Sequence, residues 1–437
     1  MSKIDLPYDS LENFSLSGEK DVPAEWWTVF NDSSLNLLVD SALNSNLDLN
    51  TVWYQLQQAR ATVAISRSNL IPAVDFQARS GISRPEPDFV GGENVQFSVA
   101  ANYELDLWGR IRYNLHADQY NYEASKYDYR TAALSLSGEV TLAWFRLKAA
   151  KLQYQLVLEQ IENNEKVLSL IRSRFASGQI RGVDILRQRQ LIEATRSQKI
   201  NLETQIGLIQ NQIAVLTGVP PTDSISVEET LPQMPSFPDT GIPMQLINRR
   251  PDVLSAYYRL QASDRSLAAA ISNKYPRLNL SLTAAFRSNS FEGLLESQAY
   301  TLTGGILAPL FYGGRLNAQV DQAEAVRGQQ LNVYGQIVLN AFQEVENALL
   351  QETKQVEQIA ALESQVEMSE KVYGQLRIEY LNGSLPYLDV LVALNQQQQL
   401  KRDLIEAKLA LFEIRVSLYR ALAGGFELPK EIENEKS

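Results

Sequence analysis

The chain lacks cysteine altogether and has a single histidine, His116, among its 437 residues. Without cysteine there are no disulfide bridges and no thiolate nucleophiles, and one histidine excludes a histidine-rich metal site. No stretch approaches the roughly 20 consecutive apolar residues that a transmembrane helix needs, so a helical membrane anchor is excluded as well. Membrane-spanning β-strands are not excluded, because they alternate apolar and polar residues and leave no mark on the mean hydropathy.

A surplus of positive charge is also absent, since the formal net charge is −11. An acidic chain offers no broad electrostatic surface for DNA or RNA, so we expect no nucleic-acid partner. The sequence contains no Gly-rich phosphate loop, no Ser-His-Asp arrangement and no metal-ligand spacing. We therefore predict that the protein is not an enzyme and has no catalytic residue, no cofactor and no metal ion.

Strict alternation of apolar and polar residues marks four short segments. They form two pairs, each joined by a turn-rich loop, at roughly 84–94 and 288–298. The pattern predicts two β-hairpins with one apolar and one polar face. The apolar positions are Val74, Phe76, Ala78 and Ile82; Val95, Phe97, Val99, Ala101, Tyr103, Leu105 and Leu107; Leu278, Leu280, Leu282, Ala284 and Phe286; and Tyr300, Leu302 and Ile306.

Two other segments predict helices longer than a compact globule needs. Residues 110–177 contain no proline and one glycine, Gly138, and residues 315–382 contain no proline and three glycines. At ~1.5 Å per residue, a helix of roughly 65 residues is about 100 Å long. Each segment ends at a glycine, Gly178 or Gly383, and a helix of about 35 residues with heptad spacing follows. Each half of the chain therefore predicts a helical hairpin that packs as a coiled coil.

The two halves of the chain repeat one unit at an offset of 204 to 205 residues. The segment from Tyr54 to Pro72 resembles that from Tyr258 to Pro276, and Gly109-Arg110 matches Gly314-Arg315. The unit is a helix, a β-hairpin, a long helix, a break and a shorter helix. We predict an N-terminal helical, equatorial segment, 1–71; a first β-hairpin, 72–108; a first helical hairpin, 109–218; a linker, 219–250; an equatorial helix, 251–275; a second β-hairpin, 276–312; a second helical hairpin, 313–423; and a C-terminal tail, 424–437.

Two β-hairpins give four amphipathic strands, and four strands cannot close a barrel with a lumen, since the smallest membrane barrels need about eight. Oligomerisation must supply the remaining strands. We predict a fold that is mainly α with β: a trimeric, 12-stranded transmembrane β-barrel continuous with a long α-helical barrel. Apolar side chains would face lipid and polar side chains would face a water-filled bore.

Several motifs then follow one another in a specific order: residues 102–110 (NYELDLWGR), residues 249–252 (RRPD), the two glycine breaks and residues 309–315 (PLFYGGR). They resemble the TolC-like outer-membrane efflux proteins, from Trp26-Trp27 to Gly424-Gly425. The chain is most similar to the subgroup that serves tripartite drug pumps of the resistance-nodulation-division type. Many members of that subgroup are lipoproteins acylated on an N-terminal cysteine, which this sequence lacks.

The resemblance implies a homotrimer in the Gram-negative outer membrane that extends into the periplasm. It implies outer-membrane lipid, a periplasmic membrane-fusion protein and an inner-membrane drug transporter as partners, and the export of drugs and other small molecules. No cofactor is implied. The first residues contain no apolar segment of an export signal, and the predicted architecture favours an exported protein whose signal has been removed.

The resemblance also implies a gate near the glycine breaks, with Asp184, Tyr380, Leu388, Asp389 and Val392 as its residues. Asp184 falls where relatives have an acidic residue that links neighbouring helices, and Tyr380 falls where they have its tyrosine partner. A hydrogen bond of this kind to a charged acceptor contributes roughly 1.5 to 3 kcal/mol. At Val392 the acidic pattern of relatives is not kept, so we expect an apolar ring that blocks ions by dewetting.

Simpler roles stay open for these residues. Asp184 and Asp389 also suit the first turn of a helix, where the macrodipole stabilises a carboxylate. We expect Trp26 and Trp27 to pack in a core, His116 to lie on a helix surface and residues 396–399 to form a solvated helix face. The alternative function is a coiled-coil structural or adaptor protein with a small soluble β-sheet, but a scaffold has no need of apolar faces on four separate strands.

Overall fold

The computed structural model describes residues 13–18, 22–83, 92–221, 230–241, 243–288, 292–294 and 298–422. Within these ranges a short 3-10 helix, Trp26–Phe30, precedes helices and strands that confirm the mainly helical fold class with four strands. The elements are α1 Ser33–Ser45, α2 Leu47–Ser68, β1 Ala73–Ser83, β2 Gly92–Leu105, α3 Arg110–Ala176, α4 Gly182–Leu216, α5 Pro243–Arg249, α6 Pro251–Ser272, β3 Arg277–Ser288, β4 Gln298–Leu307, α7 Arg315–Leu381 and α8 Tyr387–Leu422.

The second half of the chain repeats the first, element by element. The order α6, β3, β4, α7, α8 copies the order α2, β1, β2, α3, α4. α2 and α6 have 22 residues each, α3 and α7 have 67 each, and α4 and α8 have 35 and 36. These matching lengths confirm the internal two-fold repeat that the sequence offset predicts.

The long helices end at glycines in the left-handed conformation. Gly178 has φ 72° and Gly383 has φ 79°, a backbone region that glycine adopts without the steric penalty of a Cβ atom. In each turn a backbone N–H three residues past the helix end returns to a carbonyl of the last turn, from Gln179 to Arg174 at 3.0 Å and from Ser384 to Glu379 at 2.9 Å. These turns allow α4 and α8 to begin a few residues later.

The four strands form one antiparallel sheet in the order β1-β2-β3-β4. The hairpins β1–β2 and β3–β4 are the predicted ones, whereas the pairing of β2 with β3, from Val95 opposite Ser288 to Leu105 opposite Leu278, joins the two halves of the chain and was not predicted. Of the predicted loops, residues 92–94 belong to β2, and residues 84–91, 289–291 and 295–297 lie outside the described residues.

The register of this sheet aligns the apolar residues of all four strands on one face. One row across the sheet is Phe76, Val99, Ala284 and Tyr300, and the next is Val74, Ala101, Leu282 and Leu302. The described residues leave this face open, since Phe76 is 68% exposed and Tyr300 is 72% exposed. A small soluble sheet would need such a face covered, so the structure does not support the scaffold alternative.

The chain divides into two compact units. The helical unit comprises Met1–Thr51, Arg130–Pro251 and Leu339–Ser437, and the sheet unit comprises Val52–Tyr129 and Asp252–Val338. In the helical unit Trp26 and Trp27 are buried, which confirms their packing role. Nearby, the ring centroid of Phe145 lies 4.8 Å from that of Phe30 and 4.6 Å from that of Phe412.

In the sheet unit, His116 is exposed on α3 as predicted. Across the described ranges of both units, no helix combines the length and the apolar character that a bilayer crossing requires.

Candidate functional site

Four helix ends meet within the helical unit, next to the two glycine breaks. They are the C-terminal ends of α3 and α7 and the N-terminal ends of α4 and α8, and they surround a small apolar cluster. Its buried members are Ile171, Tyr380, Tyr387 and Val390. Because these residues come from both helical hairpins, the cluster, which we call the end cluster, holds the two hairpins together at their ends.

Asp184, a predicted gate residue, lies in the first turn of α4 and is only 5% exposed. Its Oδ1 atom accepts a hydrogen bond of 3.3 Å from Nη1 of Arg187, one turn further along the same helix. The first turn is also where the helix macrodipole stabilises a negative charge. The helix-terminal role therefore has structural support, and it is compatible with a role in a gate.

Tyr380, the predicted partner of Asp184, is also 5% exposed and belongs to the end cluster. Its hydroxyl has no hydrogen-bond partner among the described residues, so the predicted bond to Asp184 is not formed within one copy of the chain. Burial raises the pKa of Tyr380, the positive charge of Arg174 opposes this rise, and the charge of Asp184 adds to it. The two predicted residues are therefore close enough to interact electrostatically.

The three predicted constriction residues lie together at the start of α8. Leu388, Asp389 and Val392 are all exposed, and Val392 is 58% exposed. They occupy the face of α8 that turns away from Tyr387 and Val390, which are buried in the end cluster. An exposed face at the hairpin end is compatible with a bore-lining position, which stays a prediction for an assembled channel.

A hydrogen bond that the sequence did not reveal also joins the two hairpins. The Tyr387 hydroxyl donates to Oε1 of Gln188, and Nε2 of Gln188 donates to the backbone carbonyl of Asn164 at 2.8 Å. Burial, followed by the proximity of other tyrosines and of Asp184, raises the pKa of Tyr387. Its phenol is therefore neutral and able to donate at physiological pH.

Arg174, in the last turn of α3, makes a second contact between the two hairpins that the sequence did not reveal. Its guanidinium donates to the carbonyl oxygens of Tyr380 and Leu381, at 3.0 and 2.6 Å, and lies 4.9 Å from the Tyr380 ring centroid. A basic residue near a helix end was the available sequence signal, but it does not identify a second helix as the acceptor.

A buried polar network lies further along the helices. Nε2 of Gln398 donates to Oδ1 of Asn164 at 2.9 Å, and Nη1 of Arg402 donates to Oε1 of Gln160 at 2.6 Å. Gln398 and Arg402 are buried. The prediction that residues 396–399 form a solvated helix face is therefore wrong for Gln398, because this position of α8 faces α3 rather than solvent.

Comparisons with known proteins cover nearly the whole chain. A family model described as "outer membrane efflux protein" matches residues 38–219 and 242–424. The pyoverdine export outer membrane protein OpmQ of Pseudomonas putida is 30% identical over 418 residues, which are 92% of this chain and 88% of that protein. The toluene efflux pump outer membrane protein TtgF of Pseudomonas putida is 26% identical over 419 residues, with 94% and 87% covered.

The solved outer-membrane channel OprN has the same fold. It superposes with a TM-score of 0.90 at 27% sequence identity, and the superposition covers 96% of this chain and 98% of that chain.

Proposed function

The chain belongs to the outer membrane efflux protein family, and from this premise we propose that it forms a homotrimer that exports drugs and other small molecules. It is the outer-membrane channel of a tripartite efflux system of Gram-negative bacteria. In the proposed assembly a membrane-fusion protein contacts its periplasmic part, an inner-membrane transporter supplies the energy and outer-membrane lipid surrounds its strands.

The observation that carries this proposal is the four-stranded sheet with an open apolar face. Among the described strands, β1 and β4 each pair on one side only. Four strands are too few to enclose water, and unpaired strand edges are stable in a bilayer only when a partner strand satisfies their backbone groups. Pairing β4 of one copy with β1 of the next satisfies both edges, and three copies give a 12-stranded barrel with lipid-facing rows such as Phe76, Val99, Ala284 and Tyr300.

The helical unit supports the same arrangement. Side-chain contacts join α4 to α3 through Glu203 and Tyr154, α3 to α8 through Arg146 and Glu413, and α8 to α7 through a buried ion pair. These contacts give the order α4, α3, α8, α7, and we call α4 and α7, at the two ends of this order, the outer helices. Both carry exposed apolar residues: Leu186, Ile200, Leu208 and Val215 on α4, and Leu350, Val356, Met368 and Val372 on α7. Because the two outer surfaces differ, α4 of one copy packing on α7 of the next is a head-to-tail contact that closes a ring.

The gate is proposed at the end cluster. Leu388, Asp389 and Val392 would line its narrowest point, and Asp184 and Tyr380 would hold it closed. A buried hydroxyl without a partner costs free energy, so the unpaired Tyr380 hydroxyl suggests an acceptor that a neighbouring copy supplies. The phenol stays neutral at physiological pH because its pKa is raised, so it remains a donor.

Small organic compounds are the proposed cargo class. The relatives OpmQ and TtgF are described as exporting pyoverdine and as part of a toluene efflux pump. Their cargoes differ widely although their sequences are similar to this chain to a comparable degree. This supports a duct that conducts what its transporter delivers, rather than a channel with a tight binding site of its own.

The test is single-channel recording in a planar bilayer of detergent-purified protein, whose mass in native mass spectrometry should be that of three chains plus bound detergent or lipid. We expect a low parental conductance that rises in Asp184→Asn and Tyr380→Phe, because a bond to a charged group contributes roughly 1.5–3 kcal/mol, or about tenfold or more in the ratio of open to closed channels. Tyr154→Phe is the matched control, since its hydroxyl contacts Glu203 on an exposed surface.

Unchanged conductance in both gate variants would contradict the gate and leave the trimer intact. A monomer that stays dispersed without detergent would contradict the channel itself.

A further inference from the structure

The contact between Arg174 and the end of α7 is unusual because it supplies hydrogen-bond donors to the carbonyl groups at the end of a helix in the other hairpin. The two acceptors, the carbonyl oxygens of Tyr380 and Leu381, lie 206 and 207 residues further along the chain. An ordinary helix-capping arginine would bond to the carbonyls of its own last turn. Arg174 instead joins the α3–α4 hairpin to the α7–α8 hairpin.

The physical reason for this contact lies in the unpaired carbonyls at a helix C-terminus. The last four carbonyl groups of an α-helix have no partner within the helix, and together they carry a partial negative charge. The turn at Gly383 supplies backbone donors to Ile378, Glu379 and Tyr380. Arg174 adds a donor for Leu381 and brings a full positive charge, and its planar guanidinium reaches two carbonyls at once.

The same side chain also fixes Tyr380. The guanidinium lies over the Tyr380 ring at 4.9 Å from the centroid, so a cation–π contact adds to the two hydrogen bonds. Arg174 thus contacts both the helix end and the aromatic side chain that the gate proposal uses. Any motion that separates the two hairpins at their ends has to break all three contacts together.

The internal repeat shows that this link runs in one direction only. At the offset of 205 residues, the position equivalent to Arg174 is Glu379 at the end of α7. A carboxylate has no proton to donate to a carbonyl at neutral pH, so α7 cannot return an equivalent bond to the end of α3. Each copy of the chain therefore has one such bridge.

We propose that Arg174 is a positioning residue of the gate: its bridge to the Tyr380 and Leu381 carbonyls keeps the two hairpin ends together in the closed channel and is released on opening. The proposal rests on the gate described above. Arg174 binds backbone carbonyls of its own chain. Its side chain is only partly buried, so water is available to take over these hydrogen bonds when the hairpins separate.

The experiment compares three variants of the full-length channel in planar bilayers. Arg174→Gln removes the charge, and Arg174→Lys keeps the charge but cannot bond to two carbonyls with a planar fork. Arg172→Gln is the matched control, because Arg172 is an exposed arginine two residues away on the same helix. We expect the ratio of open to closed channels to rise about tenfold in Arg174→Gln, to rise less in Arg174→Lys and to stay at the parental value in Arg172→Gln.

Hydrogen exchange supplies a second readout that does not depend on conductance. Without the bridge, the backbone amides of Gly383 and Ser384, which bond to Tyr380 and Glu379, should exchange faster. The equivalent amides of Gly178 and Gln179 at the end of α3 should change less, because Arg174 donates to α7 and not to that turn.

The outcomes separate this proposal from the gate on which it rests. Parental conductance and parental exchange in Arg174→Gln, together with a rise in Tyr380→Phe, would overturn the bridge and leave the gate. No change in any of these variants would overturn both. If Arg174→Gln fails to assemble, Arg174→Met, which keeps an unbranched side chain but has no hydrogen-bond donor, is measured instead, and parental exchange at Gly383 in that variant would overturn the bridge.

Discussion

Leu282 and Thr283 are neighbours in the middle of β3, and their side chains lie on opposite faces of the sheet. Leu282 lies between Ala101 and Leu302, whereas Thr283 is opposite Thr301 on β4. In the proposed barrel the first position faces lipid and the second faces the aqueous bore. We predict that Leu282→Arg abolishes assembly in the outer membrane and that Thr283→Arg, the same substitution one residue later, is tolerated.

The expected size of the effect follows from the position in the sheet. Arginine on the lipid-facing side of a barrel strand costs ~2–4 kcal/mol near the bilayer midplane. Three copies of Leu282→Arg would therefore cost roughly 6–12 kcal/mol per trimer, if distant sites add independently. That is comparable to the whole stability of a typical folded protein, about 5–15 kcal/mol. An arginine at position 283 keeps its hydration in the bore and costs little.

The assay is the amount of trimer recovered from isolated outer membranes after equal expression, followed by conductance for the variant that assembles. Thr283→Arg should yield near-parental amounts of trimer and shift the ion selectivity of the open channel towards anions, because it adds a ring of positive charge. Parental amounts of Leu282→Arg trimer would refute the lipid-facing assignment. Loss of Thr283→Arg with retention of Leu282→Arg would show that the two faces are reversed.

Two predictions concern the helical unit. Burial alone would raise the pKa of Asp32, but hydrogen bonds, the strongest from Lys148, lower it on balance. The stability that Asp32 contributes above its unfolded-state pKa is therefore lost as the pH falls through its lower folded-state pKa. The melting temperature should fall less between pH 7 and pH 3 in Asp32→Asn than in the parent, and an equal fall would contradict this. Glu352→Gln leaves the buried Arg415 without its counter-charge and should cost ~3–5 kcal/mol in urea unfolding. Glu363→Gln, at the exposed ion pair with Lys408, should cost ~0–1 kcal/mol. An equal loss in the free energy of unfolding for both variants would contradict the greater contribution of the buried ion pair.

Most of the fold was predictable because its signals are local. Alternation of apolar and polar residues defines each strand, and the glycines at 178 and 383 end each long helix in a conformation that other residues avoid. The 205-residue offset then assigns the same elements to both halves. The pairing of β2 with β3 was not predictable in this way, because Val99 and Ala284 are far apart in the sequence and no local pattern specifies which strands become neighbours.

The candidate site was predictable only in part, for the same reason. Asp184 and Tyr380 stand at fixed distances from the glycine breaks, so a resemblance in sequence was enough to select them. Gln188 and Gln398 are buried, but a glutamine on a long helix looks the same in sequence whether it faces solvent or another helix. Their burial depends on which helices pack together, and that is a property of the tertiary structure.

Equivalent positions of the two repeats have opposite environments, and this difference bears on the proposed constriction. Tyr380 is 5% exposed, whereas Phe175, 205 residues earlier, is 47% exposed; Asp184 is buried, whereas the equivalent Asp389 is exposed. Because the local sequence signals are the same, the difference arises from how each hairpin packs. In a ring of alternating hairpins, the aspartate of the first repeat would lie away from the bore, and only the second repeat would present its aspartate to the bore. The narrowest point would then carry one ring of aspartates next to the apolar ring of Val392, rather than two acidic rings, and the hairpins of the second repeat would form it.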